Sequence, residues 1–306
     1  MSFDLDAYLA GRRALVDAAL DRHLVEIARR TPEKLASAMR YSLLAGGKRL
    51  RPVLVLATCE AVGGEGSVAM NAACAVEMIH TYSLVHDDLP AMDDDDFRRG
   101  RPTSHKVYGE AIAILAGDAL LTEAFRVLAL HGAGAGDGAQ RGGPAASVLV
   151  ELVGEIARAA GADGMVGGQV IDIEATGKRV TLDELEALHR AKTGALLLGS
   201  VRAGALLGGC TSDQLERLSV YGSALGLAFQ IIDDVLDVTA DLATLGKDPG
   251  SDREAGKTTF VDLLGVDGAR ERARQVMATG IAALAPLGAS ARPLEALASY
   301  TVNRDR

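Results

Sequence analysis

Tryptophan is absent from this chain, and aromatic residues make up only 4% of it. Alanine, leucine and glycine fill the apolar set instead, which favours closely packed helices over sheets. Cysteine is scarce as well. Cys59, Cys74 and Cys210 are too few and too scattered for a disulfide framework or a zinc site, so they read as reduced core thiols of a cytoplasmic protein. No run reaches the 18 or so apolar residues of a membrane span. The opening MSFDLDAYLAGRR carries acids where a signal peptide needs bases and lacks an apolar segment, which again predicts a cytoplasmic location. Basic residues do not predominate: the net charge is -9, which argues against nucleic acid and anionic membrane surfaces as partners. An anionic ligand would be repelled at long range, so its site must carry local cations.

With 306 residues, 48% of them hydrophobic and 24% charged, the chain can bury a large core, as one big domain or two ordinary ones. Its order reads as helix after helix. Residues 4 to 30 are amphipathic, and Thr31-Pro32 predicts an N-cap followed by proline at the first helical position. The helix from Pro32 ends at Gly46-Gly47, and the next begins near Pro52. Between them, Gly46-Gly47-Lys48-Arg49-Leu50-Arg51 joins a glycine-rich backbone to three cations before a helix N-terminus, an arrangement suited to an anion. Further helices are predicted from about Asn71, over Ala111 to Ala129, and over Ser147 to Ala160. Residues 131 to 146 read as a glycine-alanine surface loop. The glycines at 164, 167 and 168 allow close helix approach. Thr181 with Glu184 fits a capping box opening a helix that runs through Lys192-Thr193 to residue 208.

Two acidic constellations carry the chemistry. In the first, Asp87, Asp88 and Asp93 to Asp96 lie within ten residues, and Arg98, Arg99 and Arg101 follow at once. By default such a run is a solvated loop whose charges cancel. Yet carboxylates this dense repel one another, and a hard divalent cation relieves that repulsion while recruiting substrate phosphates, for which the arginines are natural forks. His80 lies within roughly 20° of Asp87 on a helical wheel, one heptad before it. The second constellation, YGSALGLAFQIIDDVLDVTAD, places Gln230, Asp233, Asp234, Asp237 and Asp241 on one face of a helix that is otherwise apolar. A surface helix would not be so hydrophobic on its remaining sides, so metal binding explains it better. Gly256-Lys257-Thr258 approaches a P-loop, but the glycine spacing is wrong and a helix precedes it, which excludes an NTPase.

Together these stretches resemble the trans-isoprenyl diphosphate synthase family, and most closely its bacterial farnesyl diphosphate synthases. Asp87-Asp88-Leu-Pro-Ala-Met-Asp93 matches the family's first motif, DDxxxxD, and Arg98-Arg99 its following arginine pair. Asp233-Asp234-Val-Leu-Asp237 matches the second motif, DDxxD, and GGKRLRP, Lys192-Thr193 and Phe229-Gln230 also fit, over roughly residues 40 to 300. The resemblance implies a single all-α domain over residues 1–306, a helical bundle around a deep central cavity, working as a homodimer. It implies about three Mg²⁺ ions held by Asp87, Asp93 and Asp233 with support from Asp88, Asp234 and Asp237. Arg98, Lys192 and Lys247 would grip an allylic diphosphate, with Lys257 a further contact. Lys48, Arg51, His80 and Arg99 would hold isopentenyl diphosphate, and Thr193 and Gln230 would face the reacting carbons. Tyr82, five residues before Asp87, would stop the growing chain at fifteen carbons, with Ser83 beside it.

Alternatives remain at this stage. They are the same chemistry with a geranyl or geranylgeranyl product, a terpene cyclase, a catalytically silent synthase subunit, and a non-enzymatic metal-binding bundle. A cyclase needs no second diphosphate site, against which Lys48, Arg51 and Arg99 argue. One geometric demand is internal to the first motif. Asp87 and Asp93 fall about 120° apart on an ideal helix, so an interruption is predicted near Leu89 to Met92, around Pro90. The charged C-terminus, Asn303 to Arg306, is expected to close over the diphosphates.

Overall fold

A computed structural model of the chain describes residues 3–130, 144–239 and 256–304. The expected linker at 131 to 146 therefore lies largely outside the described residues, as do Asp241, Lys247 and the last two residues. The architecture is all-α, as the composition predicts. Helix α1 (Leu5–Ala28) starts on Asp4, whose side chain accepts the N–H of Ala7 at 2.9 Å. Helix α2 (Glu33–Leu43) corrects one expectation: Thr31 does not cap it. Pro32 itself stands at the cap, in an extended conformation with no side-chain bond, so the first turn begins one residue late. Helix α3 (Leu50–Ala61) follows a loop whose Gly46 and Gly47 have φ of 85° and 126°. Helix α4 (Met70–Asp87) then leads into the first acidic motif.

After that motif comes a short antiparallel ribbon, β1 (Phe97–Arg98) and β2 (Arg101–Pro102). Arg99 and Gly100 connect the strands with φ of 54° and 72°, the signs a two-residue I′ turn requires. Helices α5 (Ser104–Tyr108) and α6 (Glu110–Ala129) complete this half, α6 lying along α4. The remainder runs through α7 (Ala146–Ala160), α8 (Met165–Ala175), α9 (Leu182–His189), α10 (Ala195–Leu207), α11 (Ser212–Thr239), α12 (Phe260–Leu284) and α13 (Arg292–Asn303). The capping box of Thr181 and Glu184 opens α9 as expected. The helix predicted to run through Lys192-Thr193 does continue to Leu207, with a π-helical turn, Arg190–Gly194, joining α9 to α10.

Two helices hold the halves together. Along α3, Val55, Leu56 and Cys59 pack into one apolar cluster with α4 and α6, while Val53, Leu54 and Ala57 pack into another with α11 and α12. Helix α10 divides its residues in the same way, Leu196 and Ala203 to the first cluster, Leu197 and Val201 to the second. A helix apolar on every side belongs at the centre of a large bundle. Gly204 permits the crossing: a Cβ there would meet Val55 O at 2.2 Å. Among the described residues, no helix is long and apolar enough to cross a membrane.

Candidate active site

Helix α4 ends at Asp87, and the predicted interruption follows. Asp93 N–H bonds back to Asp87 O at 2.8 Å, and Asp94 N–H to Leu89 O at 3.2 Å. The loop through Pro90 thus folds the two aspartates together, where a continuous helix would have separated them. Burial, with repulsion from Asp93, raises the Asp87 carboxyl to about 6, against the pull of Lys192. Asp88 is likewise raised to about 6, mainly by burial, although Arg98 Nε reaches it at 2.5 Å. Arg98 also donates to Asp95 at 3.0 Å.

A second set of side chains meets this motif. Lys192 Nζ donates to Asp172 Oδ2 at 2.6 Å, and Lys257 Nζ lies 3.4 Å from the same oxygen and 4.0 Å from Asp93 Oδ1. Next to Lys192 in the π-helical turn, Thr193 Oγ1 donates to Gln230 Oε1 at 3.0 Å. Gln230 Nε2 in turn donates to Asp234 Oδ1 at 3.2 Å. Short π segments of this kind often mark functional sites, because the extra residue re-aims the side chains around it. One set of contacts thus runs from Asp93 through Lys257 and Asp172 to Lys192, and a second from Thr193, its neighbour in sequence, through Gln230 to Asp234 of the second motif. A pocket of about 560 Å³, open mouth included, is lined by Asp172, His189, Lys192, Gln230, Asp234 and Lys257. His189, stacked on Phe260, is kept neutral there by burial, its pKa lowered to about 4.

The members of the second motif differ in environment. Asp234 is buried and also accepts the N–H of Phe260 at 2.9 Å, which fixes the start of α12. Asp237 is buried as well. Asp233 is more open and accepts from Arg304 Nη2 at 2.5 Å. Arg304 follows α13, lies over the Phe229 ring at 4.0 Å and is almost fully buried. The C-terminal segment therefore does reach this region.

On the other flank, several cations gather around His80 and Glu77. His80 is pushed far below its ordinary pKa by burial and by Arg51, Arg99, Arg98 and Arg49. Arg51 Nε is buried with no hydrogen-bond partner among the described residues, and Arg51 feels Glu77 and Asp233 as attractive charges and Arg99 as a repulsive one. Arg99 donates to Gly46 O, and Lys48 is exposed in the same loop. Arg49 corrects the sequence reading. It is not a third cradle cation but is turned inward, on Asp17, Glu77 and Leu43 O. Tyr82, on α4, is 6% exposed and meets His86 edge-on with ring centroids 5.7 Å apart. Ser83 Oγ is taken up by His80 O at 2.9 Å.

Asp172, Glu77 and the inward role of Arg49 escaped the sequence reading. For Asp172 a signal existed in Gly168. A Cβ on Gly168 would meet Lys192 N at 2.2 Å, so the glycine lets α8 approach the π-helical turn and bring Asp172 to the lysine. Gly168→Ala is expected to lower stability by about 1–3 kcal/mol, the ordinary cost of overpacking, because backbone cannot yield as a side-chain tip can. Thermal unfolding measures this, and an unchanged Tm would show that the approach has room to spare.

Carboxylates of this kind, with Asp87 and Asp88 raised to about 6, are the donors a hard divalent ion such as Mg²⁺ takes. The donor set fits Mg²⁺. Among the described residues, the one compact group of three possible metal ligands is a different one, Asp94, Asp96 and His105, where Lys106 already neutralises Asp96 at 2.6 Å. Asp87, Asp93 and Asp233 form no such compact triad, as expected where substrate phosphates and water complete each ion's shell.

The profile of the polyprenyl synthetase family matches residues 32–283. This chain belongs to that family. As a polyprenyl synthetase it is a transferase of the trans-prenyltransferase type. It is 50% identical over 304 residues to a dimethylallyltranstransferase of Fischerella ambigua, covering 99% of this chain and 84% of the relative. To the farnesyl diphosphate synthase of Geobacillus stearothermophilus it is 48% identical over 268 residues, 88% of this chain and 87% of that one. The solved geranylgeranyl pyrophosphate synthetase of Pyrococcus horikoshii superposes with a TM-score of 0.86 at 33% identity, covering 98% and 99% of the two chains. These relatives carry different product names, so likeness alone does not fix the product of this polyprenyl synthetase.

Proposed function

We propose that the chain condenses isopentenyl diphosphate with dimethylallyl and then geranyl diphosphate, giving farnesyl diphosphate and releasing diphosphate. The observation that supports this reading is that basic side chains gather in two groups, each suited to one diphosphate. One joins Asp87, Asp93, Lys192 and Lys257, and the other gathers Arg51, Arg99, His80 and Lys48. A cyclase would use only the first.

In this reading Arg98, Lys192 and Lys257, with Lys247 from outside the described residues, hold the allylic diphosphate. Mg²⁺, about three ions by family resemblance, would be held by Asp87, Asp93 and Asp233 with Asp88 and Asp237 beside them, and supplies Lewis-acid stabilisation of the departing diphosphate. Asp234, bonded to Gln230 and to the start of α12, keeps the second motif in place. Thr193 and Gln230 turn oxygen dipoles towards the reacting carbons, where positive charge develops as the allylic C–O bond breaks. Lys48, Arg51, His80 and Arg99 fix the diphosphate of isopentenyl diphosphate so that the isopentenyl double bond attacks that carbon. In this reading the proton then leaves to the released diphosphate, as the family resemblance implies. The apolar walls exclude water, which would otherwise quench the cation. Tyr82 ends the tail pocket. The enzyme acts in the cytoplasm as a homodimer, supported by its free thiols and by the exposed apolar side chains Ile114, Leu115 and Val150.

Incubation with labelled isopentenyl diphosphate and each allylic starter, with and without Mg²⁺, tests the proposal through chromatography of the product. A fifteen-carbon product that needs both partners and the metal is expected, and no incorporation of label under any condition would end the reading. The raised carboxyls add a pH dependence. Burial favours their protonated form, so they stabilise the ligand-free fold below the ordinary carboxyl value of 3.8, and this stabilisation is lost as the pH rises through about 6. The metal takes the deprotonated form. Mg²⁺ affinity in the presence of inorganic diphosphate should therefore weaken by up to about tenfold per pH unit for each proton taken up below pH 6, as titration calorimetry would measure.

A further inference from the structure

Arg49 stands between Lys48 and Arg51 yet is withdrawn from the surface they form. Its backbone is left-handed, φ 52° and ψ 36°, at the N-cap of α3. A side chain with a Cβ adopts that conformation only when its surroundings hold it there. Here three bonds hold it. Nε donates to Asp17 Oδ1 at 2.8 Å, Nη1 to Glu77 Oε1 at 2.7 Å and Nη2 to Leu43 O at 2.8 Å. The acceptors belong to α1, α4 and the end of α2, so one guanidinium ties three helices to the start of a fourth. The side chains of Arg49 and Glu77 are 1% and 2% exposed.

The consequences reach the cationic flank by two routes. Through the backbone, Arg49 ends a run, Gly46 to Arg49, in which Gly46, Gly47 and Arg49 have positive φ. Arg99 is seated on that run, donating to Gly46 O, and a Cβ on Gly47 would meet its guanidinium at 2.8 Å. Through space, the Glu77 carboxylate attracts Arg51 and Arg99, which repel each other. One buried acid thus fixes the shape of the loop and allows its cations to converge before any ligand arrives.

We infer that the Arg49–Glu77 pair is a positioning device for the second diphosphate, the one carried by isopentenyl diphosphate in the reading above, on which this inference rests. Neither residue touches the ligand. They hold Lys48, Arg51 and Arg99 in the arrangement that does, and they leave the allylic region, built on Lys192 and Lys257, to its own anchor, Asp172.

A purely architectural role makes a different prediction, and a double substitution separates the two. Arg49→Met and Glu77→Met each strand a buried charge and should lower Tm. Joined in one protein, they exchange the pair for apolar groups of similar size, which buried ion pairs commonly tolerate, and Tm should return towards that of the parent. The KM for isopentenyl diphosphate should stay raised by about 10- to 100-fold in all three proteins, with the KM for the allylic partner and kcat changed by less than about threefold. Arg49→Lys keeps the charge but loses the fork, and should raise the same KM by about three- to tenfold. Glu77→Gln, the mildest change, serves if the methionine variants do not fold. Binding of inorganic diphosphate to the metal-free protein, followed by calorimetry, reads the cradle without turnover and should weaken in parallel. A double variant that recovers KM together with Tm, or a KM that rises equally for both substrates, overturns the inference. Should the parent protein fail to condense isopentenyl diphosphate at all, the functional reading falls, while the diphosphate titration still decides whether Arg49 and Glu77 shape an anion site.

Discussion

Replacing Asp87 or Asp233 by asparagine is expected to cut kcat/KM for condensation by about 10³-fold or more, which corresponds to about 4 kcal/mol of lost transition-state stabilisation. Each substitution keeps the shape of the side chain and removes one anionic oxygen donor, so the loss is electrostatic. The two variants should differ in stability. Asp87 is a carboxyl whose charge the ligand-free fold resists, so Asp87→Asn should leave Tm unchanged or raise it near neutral pH. Asp233 is the partner of a nearly buried Arg304, so Asp233→Asn weakens a charged contact and should lower Tm. Asp94→Asn, at an exposed position outside the proposed ligands, is the control and should do little to either quantity. Activity that survives in Asp87→Asn within tenfold of the parent would remove the first acidic motif from the reaction.

This division between activity and stability also shows what the linear order of residues can and cannot convey. The acidic motifs, Arg98-Arg99 and Lys192-Thr193 are legible because each is a local pattern whose spacing fixes a helical face or an abrupt change of charge. The break after Asp87 was legible for the same reason: six residues cannot align two aspartates on a regular helix, and Pro90 lies between them. Asp172 was not legible. It is a single acid on α8, and its meaning comes from Lys192, twenty residues later, and from Lys257, which only the packed fold brings beside it. Arg49 was misread because three cations in a row suggest a single surface, whereas a left-handed backbone at the middle one sends its side chain the other way. The π-helical turn and the Arg99-Gly100 turn likewise depend on what they pack against, since arginine is no natural choice at positive φ. Thr31 failed as a cap because Pro32 is extended and holds the cap position itself.

Tyr82→Ala is expected to lengthen the product beyond fifteen carbons while leaving the first condensation nearly as fast. Tyr82 precedes Asp87 by five residues on an unbroken stretch of α4, which places it about 7.5 Å along the axis from the carboxylate at the mouth. Its ring is buried in the apolar cluster that α4 shares with Ala116 and Leu120 of α6, and it rests on His86. A tail growing from the first acidic motif towards that cluster would meet a large, well-packed ring with little freedom to swing aside. Truncation to alanine removes the ring and leaves a cavity lined by small and aliphatic side chains. Loss of a buried aromatic side chain should lower stability by about 3–5 kcal/mol. That cavity is also the space a fourth isoprene unit would take, so bound product should recover part of the lost stability, a linkage that thermal unfolding with and without geranylgeranyl diphosphate would detect. Ser83→Ala is the matched control, because the Ser83 hydroxyl is spent on the His80 carbonyl of its own helix and should not set the length. If Tyr82→Ala still releases only the fifteen-carbon product while its Tm falls as expected, the cavity exists but the tail does not enter it, and another wall ends the pocket.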